Sequence, residues 1–398
     1  MTQTPRILAL IGSRVLFGQE RANLLVMEVL KAQGCEILAV VEDHPSFRIM
    51  PQELEKRGIP YVEAPAIGRR MDGYLLDFLI GNPIRYVRFR KQMRSVLQKF
   101  RPTHIHVPNP FSFLLADAIA RSDLPIVYRI GDMPATHSAL WRWIWRRISR
   151  RVTHFVAISH FIADELTKLG IPPYKVTVIY NKPPARSHPP QPNTPSHSRH
   201  ILFIGQLSAD KGVDRLIEAF RQVATDFSDA RLTVVGRISD WSGDDWQRIL
   251  RERALSDPLI GSRISFPGEQ EDIYSYLASA AFLVVPSVFQ EALSNVVGEA
   301  KAASRPSVVF PSGGLPELIH HGEDGFICRD TGIEALGEGL RYYLSDPDRA
   351  REHGRKALAS LTRLKIEQFS QRWRAVYDAT MPSPGSCNRI SLEAEEVQ

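Results

Sequence analysis

The feature that most constrains the fold is an alternation of short β-branched runs with segments of helical periodicity, which occurs in two successive halves of the chain. Several of these runs are continuously apolar, as is typical of parallel strands covered on both faces. Strand–helix–strand order repeated in this way predicts doubly wound α/β domains. The predicted strands are Arg6–Gly12, Cys35–Val41, His104–Val107, Pro125–Ile130, His154–Ile158, Val176–Tyr180, His200–Gly205, Arg231–Gly236, Ile264–Pro267, Phe282–Pro286 and Ser307–Phe310.

A proline-rich segment separates the two halves. Residues 182–199 read KPPARSHPPQPNTPSHSR, and proline both removes backbone donors and disfavours helix in the residue before it, so this segment is predicted to be an extended linker. The predicted organisation is a Rossmann-like domain over 1–182, a linker over 183–199, a second Rossmann-like domain over 200–365, a C-terminal helix over 366–380 with packing back toward the first domain as one option, and a disordered tail over 381–398. Because ligands bind at the carboxyl ends of the strands in such sheets, we expect a site in a cleft between two facing domains.

Composition excludes several classes of protein. Apolar residues make up 43% of the chain and charged residues 24%, which excludes a wholly disordered chain, a collagen and a coiled-coil rod. No apolar run approaches the roughly 20 residues of a membrane-spanning helix. The N-terminus has no basic region before its first apolar run, so we expect no signal peptide. Cys35, Cys328 and Cys387 are far apart, so we expect neither a disulfide framework nor a zinc site, and a cytoplasmic location fits.

The most informative stretch lies within Ile264–Cys328 and carries two glutamates, Glu291 and Glu299. Glu291 follows a predicted strand, and Glu299 lies about one turn into a predicted helix over Val296–Ser304, for which Ser294 or Asn295 is the N-cap. Eight residues of helix rise about 12 Å, so the two carboxylates suit a ligand with a polar group at each end. An anion between those groups would be held by N–H groups at the helix start, near Leu293 to Asn295. A nucleotide sugar has this layout.

A second candidate region is the loop after the strand at His200, which reads FIGQLSADKG and carries Lys211. A lysine in a strand-to-helix loop is well placed to meet a diphosphate, although a solvated loop lysine is the simpler interpretation of this residue alone. The loop of the first strand lacks the GxGxxG fingerprint, and no Walker A pattern occurs. These absences disfavour a simple NAD enzyme and a P-loop NTPase.

Taken together, the chain resembles a family 4 glycosyltransferase of the GT-B fold, in which two Rossmann-like, doubly wound α/β domains face each other across a cleft. The resemblance covers most of residues 1–380 and is strongest over 200–330. The motifs that carry it are FIGQLSADKG, the E-x7-E of QEALSNVVGEA, FPSGGLPELIHHGEDGFIC, AISHFIADELTKLGIPPYKVTVIYN and GEQEDIYSYLASAAFLVVPS. Each is weak alone, and together they are specific.

The resemblance implies retaining transfer of a sugar from a nucleotide-sugar donor to a glycan or lipid-linked acceptor, with no metal or other cofactor. It also implies roles for individual residues: Glu291 contacts the donor sugar, Glu299 the ribose and Lys211 the diphosphate, Gly18 lets the first loop approach that phosphate, and the backbone near Glu269 and Gln270 borders the base.

Two departures from the family pattern matter most, and a lesser one is Phe17, where the family commonly has glycine. Gln206 stands where the family usually has an arginine on the phosphates, and Arg237 after the next strand is one candidate to compensate. The stretch YRIGDMPATH has Gly131-Asp132 where a histidine often touches the donor sugar, so Asp132 or His137 is a candidate for contacting the acceptor. A weakly active or non-catalytic member therefore stays among the alternatives, together with a sugar-nucleotide epimerase and a phosphorylase-like enzyme.

The two halves differ in charge. Residues 1–182 hold 26 Lys and Arg against 15 Asp and Glu, a net charge of +11, while the remainder carries −5. The basic half contains LWRWIWRRISRRV, which is predicted to form an amphipathic helix with a stripe of Trp141, Ile144, Trp145, Ile148 and Val152. This helix is either a peripheral membrane element or a helix that packs its stripe on the sheet with solvated arginines, and both can hold if the stripe faces inward and the arginines face lipid headgroups. A membrane role would bring Arg142, Arg146 and Arg147 to an anionic membrane surface on its cytoplasmic side. No recognised nucleic-acid module accompanies the charge, so we expect no nucleic-acid partner.

Two further features have structural interpretations. Asp346-Pro-Asp348 matches a DxD metal motif, but it falls between two predicted helices, where aspartate before proline is turn and cap chemistry. His104 and His106 alternate on one strand without a third metal ligand, so packing within the sheet is expected for one of them.

Overall fold

A computed structural model of the chain describes residues 4–11, 16–43, 48–65, 83–120, 124–183, 199–237, 245–362 and 364–382. The chain divides into two compact units, here called unit 1 (Met1–Tyr180 with Gln368–Gln398) and unit 2 (Asn181–Glu367). The sequence-based boundaries of 182 and 365 lie within two residues of these divisions. Residues 184–198 of the predicted linker and residues 383–398 of the predicted tail lie outside the described residues.

Unit 1 is built on a parallel sheet with the strand order β3-β2-β1-β4-β5-β6-β7. Its strands are β1 (Arg6–Leu10), β2 (Glu36–Glu42), β3 (Tyr61–Ala64), β4 (His104–Val107), β5 (Ile126–Ile130), β6 (His154–Ala157) and β7 (Val176–Val178). The helices of its described residues are α1 (Gly18–Ala32), α2 (Ile49–Lys56), α3 (Pro83–Phe100), α4 (Pro110–Ile119), α5 (Ala139–Arg151) and α6 (His160–Lys168), together with α13 (Phe369–Ala379) from the C-terminal part of the chain.

Unit 2 has the same strand order, β10-β9-β8-β11-β12-β13, and its sheet is again parallel. Its strands are β8 (His200–Ile204), β9 (Arg231–Val235), β10 (Ile264–Gly268), β11 (Phe282–Val285), β12 (Ser307–Val309) and β13 (Gly325–Ile327). Its helices are α7 (Val213–Val223), α8 (Trp246–Ser256), α9 (Ile273–Ser279), α10 (Asn295–Ala302), α11 (Ile333–Leu344) and α12 (Pro347–Ala359). The fold prediction of two Rossmann-like parallel-sheet domains is confirmed.

Two strands, β3 and β13, are absent from the sequence prediction. Both lie at the edge of their sheets and are short, and both are only partly buried. A short edge strand has one unpaired side and little need for a continuous apolar run, so periodicity detects it less reliably than a central strand, although the edge strands β7 and β10 were predicted. The eleven predicted strands are all present, with ends that differ by one or two residues.

Helix α13 lies in the core of unit 1 although it follows unit 2 in the chain. Its buried residues Phe369, Trp373, Val376 and Tyr377 pack in one apolar cluster with α1 and the sheet. The hydroxyl of Tyr377 is 2.7 Å from Nδ1 of His106 on β4. The C-terminal segment therefore completes the first domain, and its Trp373 side chain, 1% exposed, is among the largest buried in the protein.

In both parallel sheets, the side on which successive strands are added changes once. Successive strands add outward from β1 toward β3, and the chain then returns to place β4 on the other side of β1; β8 and β11 flank the same reversal in unit 2. In doubly wound sheets this topological switch point, at the carboxyl ends of the strands, is where ligands bind. The loops after β1, β4, β8 and β11 are therefore the places to look for functional side chains.

Candidate functional site

The switch point of unit 2 brings together Lys211, from the loop after β8, and Glu291, from the loop after β11. The Nζ of Lys211 is 2.6 Å from Oε1 of Glu291. The hydroxyl of Ser287 donates to the same Oε1 at 2.7 Å. Glu291 is 9% exposed, so its carboxylate is held by a cation and a hydroxyl in a largely water-excluded position.

The two loops that carry this pair are joined by their backbones. The amide of Val288 donates to the carbonyl of Asp210 at 2.9 Å. Gly212 has φ +67°, and a Cβ at this position would lie 2.0 Å from the carbonyl oxygen of Pro286. Only glycine allows this approach of backbone to backbone, so the KG sequence at 211–212 places the lysine against the β11 loop.

A third loop fixes the backbone of Glu291. The amide of Gly314 donates to the carbonyl of Glu291 at 2.7 Å, and the amide of Gly313 donates to Oε1 of Gln290 at 2.8 Å. Gly313 has φ +58°, and a Cβ there would lie 2.1 Å from the carbonyl oxygen of Glu291. The glycine pair of FPSGGLPE is thus a turn that also positions Glu291.

The E-x7-E motif runs from this loop into α10. The helix begins at Asn295 with Ser294 at the N-cap position, in extended conformation and 8% exposed, but the Ser294 side chain makes no capping hydrogen bond. The side chain of Asn295 accepts from Asn181 at 2.7 Å. Glu299 lies one turn into α10 and is half-buried, as is Leu293 before the helix. The predicted arrangement of a loop glutamate and a helix glutamate matches the observed elements.

The remaining predicted residues of unit 2 lie along the same edge of the sheet. Exposed Gln206 follows β8, and the amide of Leu207 donates to the carbonyl of Arg237 at 3.0 Å. Exposed Glu269 and half-buried Gln270 follow β10, where the Gln270 side chain donates to the carbonyl of Pro267 at 2.9 Å. The loops after β8, β9 and β10 therefore lie side by side.

In unit 1, Gly18 is exposed and is the first residue of α1, whose preceding residue Phe17 donates its amide to Oε2 of Glu20 at 3.1 Å. The Gln19 side chain donates to the carbonyl of Pro108 after β4 at 2.8 Å. A small concavity at this switch point is lined by Ile11, Gln19, Glu20, Asn23, Met50, Pro108 and Asn109. The residues of the first loop from 12 to 15 lie outside the described part of the chain.

Asp132 lies two residues beyond β5 and is exposed, as is His137. Arg129, on the strand β5 that precedes this loop, is 1% exposed and donates to Oδ1 of Asn23 at 3.4 Å. Burial lowers the pKa of Arg129 to about 10, while the negative charges of Asp132 and Glu20 act in the opposite direction. Asp132 is thus electrostatically coupled to a buried cation, a feature that sequence reasoning missed.

The amphipathic helix α5 has one buried face. Ile144, Trp145 and Ile148 are buried against the sheet, while Trp143 is 56% exposed. Arg142 and Arg146 are exposed, and Arg147 forms an ion pair with Asp117 at 2.6 Å. The apolar stripe therefore packs in the core, and the opposite face is basic with one exposed tryptophan.

Three remaining expectations from the sequence concern a helix N-cap, a metal site and membrane-spanning helices. Asp346 is the N-cap of α12, and its Oδ1 accepts from the amide of Arg349 at 3.1 Å, which is a structural role. Among the described residues, no three His, Cys, Asp or Glu side chains come together as a metal site. No helix in the same residues is both long enough and apolar enough to cross a bilayer.

Two functional contacts were missed by sequence reasoning. Ser287 stands in the PS pair directly after β11, and Phe289 places its ring centroid 4.5 Å from Nζ of Lys211. The position of a polar residue immediately after a central strand was the available signal for Ser287. For Phe289 no local signal exists, because its contact is with a residue of another loop.

Comparisons with known proteins agree with this architecture. A family model described as Glycosyltransferase Family 4 matches residues 18–181, and one described as Glycosyl transferases group 1 matches residues 198–346. The chain is similar to an uncharacterised glycosyltransferase of Haemophilus influenzae, with 28% identity over 45% of this chain and 49% of that protein. It is also similar to N-acetyl-α-D-glucosaminyl L-malate synthase of Bacillus anthracis, with 26% identity over 56% of this chain and 58% of that protein.

The chain thus matches about half the length of these curated relatives. Among solved structures, HepE of Anabaena in complex with UDP-glucose is similar with a TM-score of 0.72 and 19% identity, over 94% of this chain and 99% of that one. At this identity the likeness concerns the fold. Because the two family models together cover both units, the chain belongs to the family 4 glycosyltransferases and has their GT-B fold.

Proposed function

We propose that this protein transfers a hexose-like sugar, with retention of anomeric configuration, from a nucleotide-sugar donor to a glycan or lipid-linked acceptor. The observation that carries the proposal is the Lys211–Glu291 pair at the switch point of unit 2, where a cation and a carboxylate 2.6 Å apart follow the two central strands. This is the position at which doubly wound sheets bind their ligands. Family membership supports the reaction class.

In the proposed reaction, the bond from the sugar's anomeric carbon to the diphosphate oxygen breaks, and a bond to the acceptor oxygen forms on the same face. The acceptor's hydroxyl proton leaves with the released diphosphate. The ammonium of Lys211 stabilises the charge that develops on the diphosphate, and Glu291 accepts hydrogen bonds from the sugar hydroxyls. Glu299 meets the ribose and the loop at Glu269 and Gln270 borders the base, while Asp132 in unit 1 is the candidate acceptor contact.

The proposed chemistry needs no metal, because Lys211 supplies the positive charge that a cation would otherwise bring to the diphosphate. Uridine diphosphate is the first probe to use, because HepE was solved with UDP-glucose. We expect it, or one other nucleoside diphosphate, to raise the melting temperature of the protein, since a ligand of the folded state stabilises that state. The shift should persist in EDTA and disappear in Lys211→Ala.

The matched control is Lys356→Ala, which removes an exposed lysine of α12 and should leave the shift intact. Product analysis by NMR then tests retention through the anomeric configuration of the new bond. Turnover of the nucleotide sugar without an acceptor would indicate an epimerase. Turnover that requires inorganic phosphate would indicate a phosphorylase. No shift with any nucleotide would contradict the donor site.

The acceptor side of the proposal is supported by a basic face on unit 1. Helix α4 lies between α3 and α5 and contacts both. The sequences of α3 and α5 contain no acidic residue, and α3 exposes Val87 while α5 exposes Trp143 and Leu140. We infer that this face docks on an anionic membrane surface, where a lipid-linked acceptor of surface polysaccharide or glycolipid biosynthesis would be found, on the cytoplasmic side.

Co-sedimentation with vesicles containing phosphatidylglycerol tests this inference. Charge reversal in Arg142→Glu with Arg146→Glu should weaken binding about ten-fold or more, because each basic residue near an anionic surface contributes roughly 1 kcal/mol. Arg147 is left intact because its ion pair with Asp117 is part of the fold. Arg355→Glu on the exposed surface of α12 is the control. Vesicle binding that changes neither with salt concentration nor in the Arg142→Glu/Arg146→Glu double variant would contradict membrane docking.

A further inference from the structure

The two charged side chains assigned to different parts of the donor, Lys211 and Glu291, form an ion pair with each other. The Nζ of Lys211 and the Oγ of Ser287 both contact Oε1 of Glu291, at 2.6 and 2.7 Å. Within the described residues, Oε2 of Glu291 takes part in no hydrogen bond. One oxygen of the carboxylate is therefore doubly engaged, and the other is available to a ligand.

This pair is held by its surroundings and is more than a chance surface contact. The side chains of Lys211 and Glu291 are 25% and 11% exposed, so water screens them less than it screens an ordinary surface pair. The ammonium also lies 4.5 Å from the ring centroid of Phe289, a favourable cation–π distance. The backbones of their two loops are hydrogen-bonded through Asp210 and Val288, which keeps both side chains in register.

A diphosphate needs the positive charge of Lys211, which is already matched by Glu291. When the ammonium turns to phosphate oxygens, the attraction to Glu291 weakens, and the carboxylate loses one of its two ligands on Oε1. Ser287 is 1% exposed and does not depend on the phosphate, so its hydrogen bond is the contact that persists. A buried carboxylate with a single remaining donor keeps its orientation only while that donor stays in place.

We propose that Glu291 exchanges partners when the donor binds: Lys211 leaves it for the diphosphate, and Ser287, as a positioning residue, holds its Oε1 so that Oε2 faces the sugar. The inference rests on the proposed function, since it needs a diphosphate at Lys211. It adds that Glu291 competes with the diphosphate for the lysine, and that Ser287 matters for turnover and little for diphosphate affinity.

The competition between Glu291 and the diphosphate predicts the direction in which the affinity for uridine diphosphate changes. Glu291→Gln removes the competing charge, so the affinity for uridine diphosphate, measured by isothermal titration calorimetry, should rise about three- to ten-fold. Glu352→Gln on the exposed surface of α12 controls for the loss of any negative charge and should change little. The gain should vanish in a Lys211→Ala background. An affinity that is unchanged or weaker in Glu291→Gln would overturn the competition.

The positioning role is tested separately. Ser287→Ala should lower kcat about ten-fold while leaving the Kd for uridine diphosphate within two-fold, a split that a general loss of structure would not produce. Ser307→Ala is the matched control, because Ser307 is also 1% exposed and its hydroxyl has no hydrogen-bond partner among the residues that the structure describes, so kcat should not change. Equal kcat in Ser287→Ala and the wild type would refute the role of Ser287.

These outcomes are distinct from failure of the proposed function itself. If the wild-type protein binds no nucleoside diphosphate and transfers no sugar, the donor site is wrong. If the wild type binds and transfers but the two variants behave like it, the donor site stands and the exchange of partners falls.

Discussion

Replacing Gly313 by alanine should displace Glu291 and thereby lower both stability and transfer. The new Cβ would lie 2.1 Å from the carbonyl oxygen of Glu291, a distance that must open to at least 3.0 Å, so one of the two backbones has to move by about 1 Å. The shift also breaks the hydrogen bond from the amide of Gly314 to that carbonyl, now 2.7 Å long. A misplacement of about 1 Å in a catalytic group costs roughly a hundred-fold in rate.

The cost in stability has two parts. Alanine at a φ of +58° costs about 1–2 kcal/mol in left-handed backbone strain. The lost hydrogen bond leaves buried groups without partners, at about 1–3 kcal/mol. A total near 3 kcal/mol should lower the melting temperature of unit 2 by about 6–12 °C in calorimetry, at 2–4 °C per kcal/mol for a domain of this size.

Gly322→Ala separates the two parts. Gly322 has φ +76°, and a Cβ there would meet nothing within 4 Å, so this variant suffers the backbone strain without the collision. We expect it to melt about 2–8 °C below the wild type and to transfer sugar normally. If Gly313→Ala melts together with Gly322→Ala and keeps wild-type transfer, the assignment of the glycine turn as the support of Glu291 is wrong.

Three further predictions concern the N-cap of α12, the two buried histidines of β4 and Arg237. Asp346→Ala removes the N-cap of α12 and should cost about 1 kcal/mol in urea unfolding while leaving transfer intact; loss of activity restored by Mn²⁺ would instead support a metal role. Burial lowers the pKa of His104 to about 4 and that of His106 to about 3, so both are neutral in folded unit 1 while the unfolded chain binds protons near pH 6.5. Their contribution to stability is therefore complete above pH 6.5 and is lost as the pH falls toward 4, and calorimetry that finds the same melting temperature for unit 1 at pH 7 and pH 5 would refute it. If the charge of Arg237 compensates for the glutamine at position 206, where the family usually has an arginine, Arg237→Ala should reduce sugar transfer about ten-fold. Gln206→Arg should then restore transfer in the Arg237→Ala background. Wild-type transfer in Arg237→Ala would exclude this compensation.

The elements that the sequence predicted well are those whose signal is local. The central strands of both sheets are continuous apolar runs because burial on both faces demands such runs, and all of them were predicted together with the edge strands β7 and β10. Lys211 and Glu291 could also be singled out locally, since each is a charged residue in the loop that follows a central strand. The edge strands β3 and β13 escaped because partial burial leaves little apolar signal.

The contacts within the site depend on strand order, which periodicity does not encode. Lys211 and Glu291 are 80 residues apart and meet only because β8 and β11 are neighbours in the sheet. The same adjacency brings the Phe289 ring to Lys211, whereas Ser287 contacts Glu291 within the loop after β11. Gly313 is recognisable in the sequence as a turn glycine. That it packs against the carbonyl of Glu291, which lies in another loop, is visible only in the folded protein.

The fold class, the two-domain division and the residue types at the strand ends can be predicted from the chain's local patterns, because burial imposes a period that each segment must satisfy alone. Only the folded structure shows which of those strand ends meet, that Lys211 reaches the Glu291 carboxylate and that α13 completes the core of unit 1. These contacts join segments that are distant in the chain, and the local order of residues does not encode such pairing.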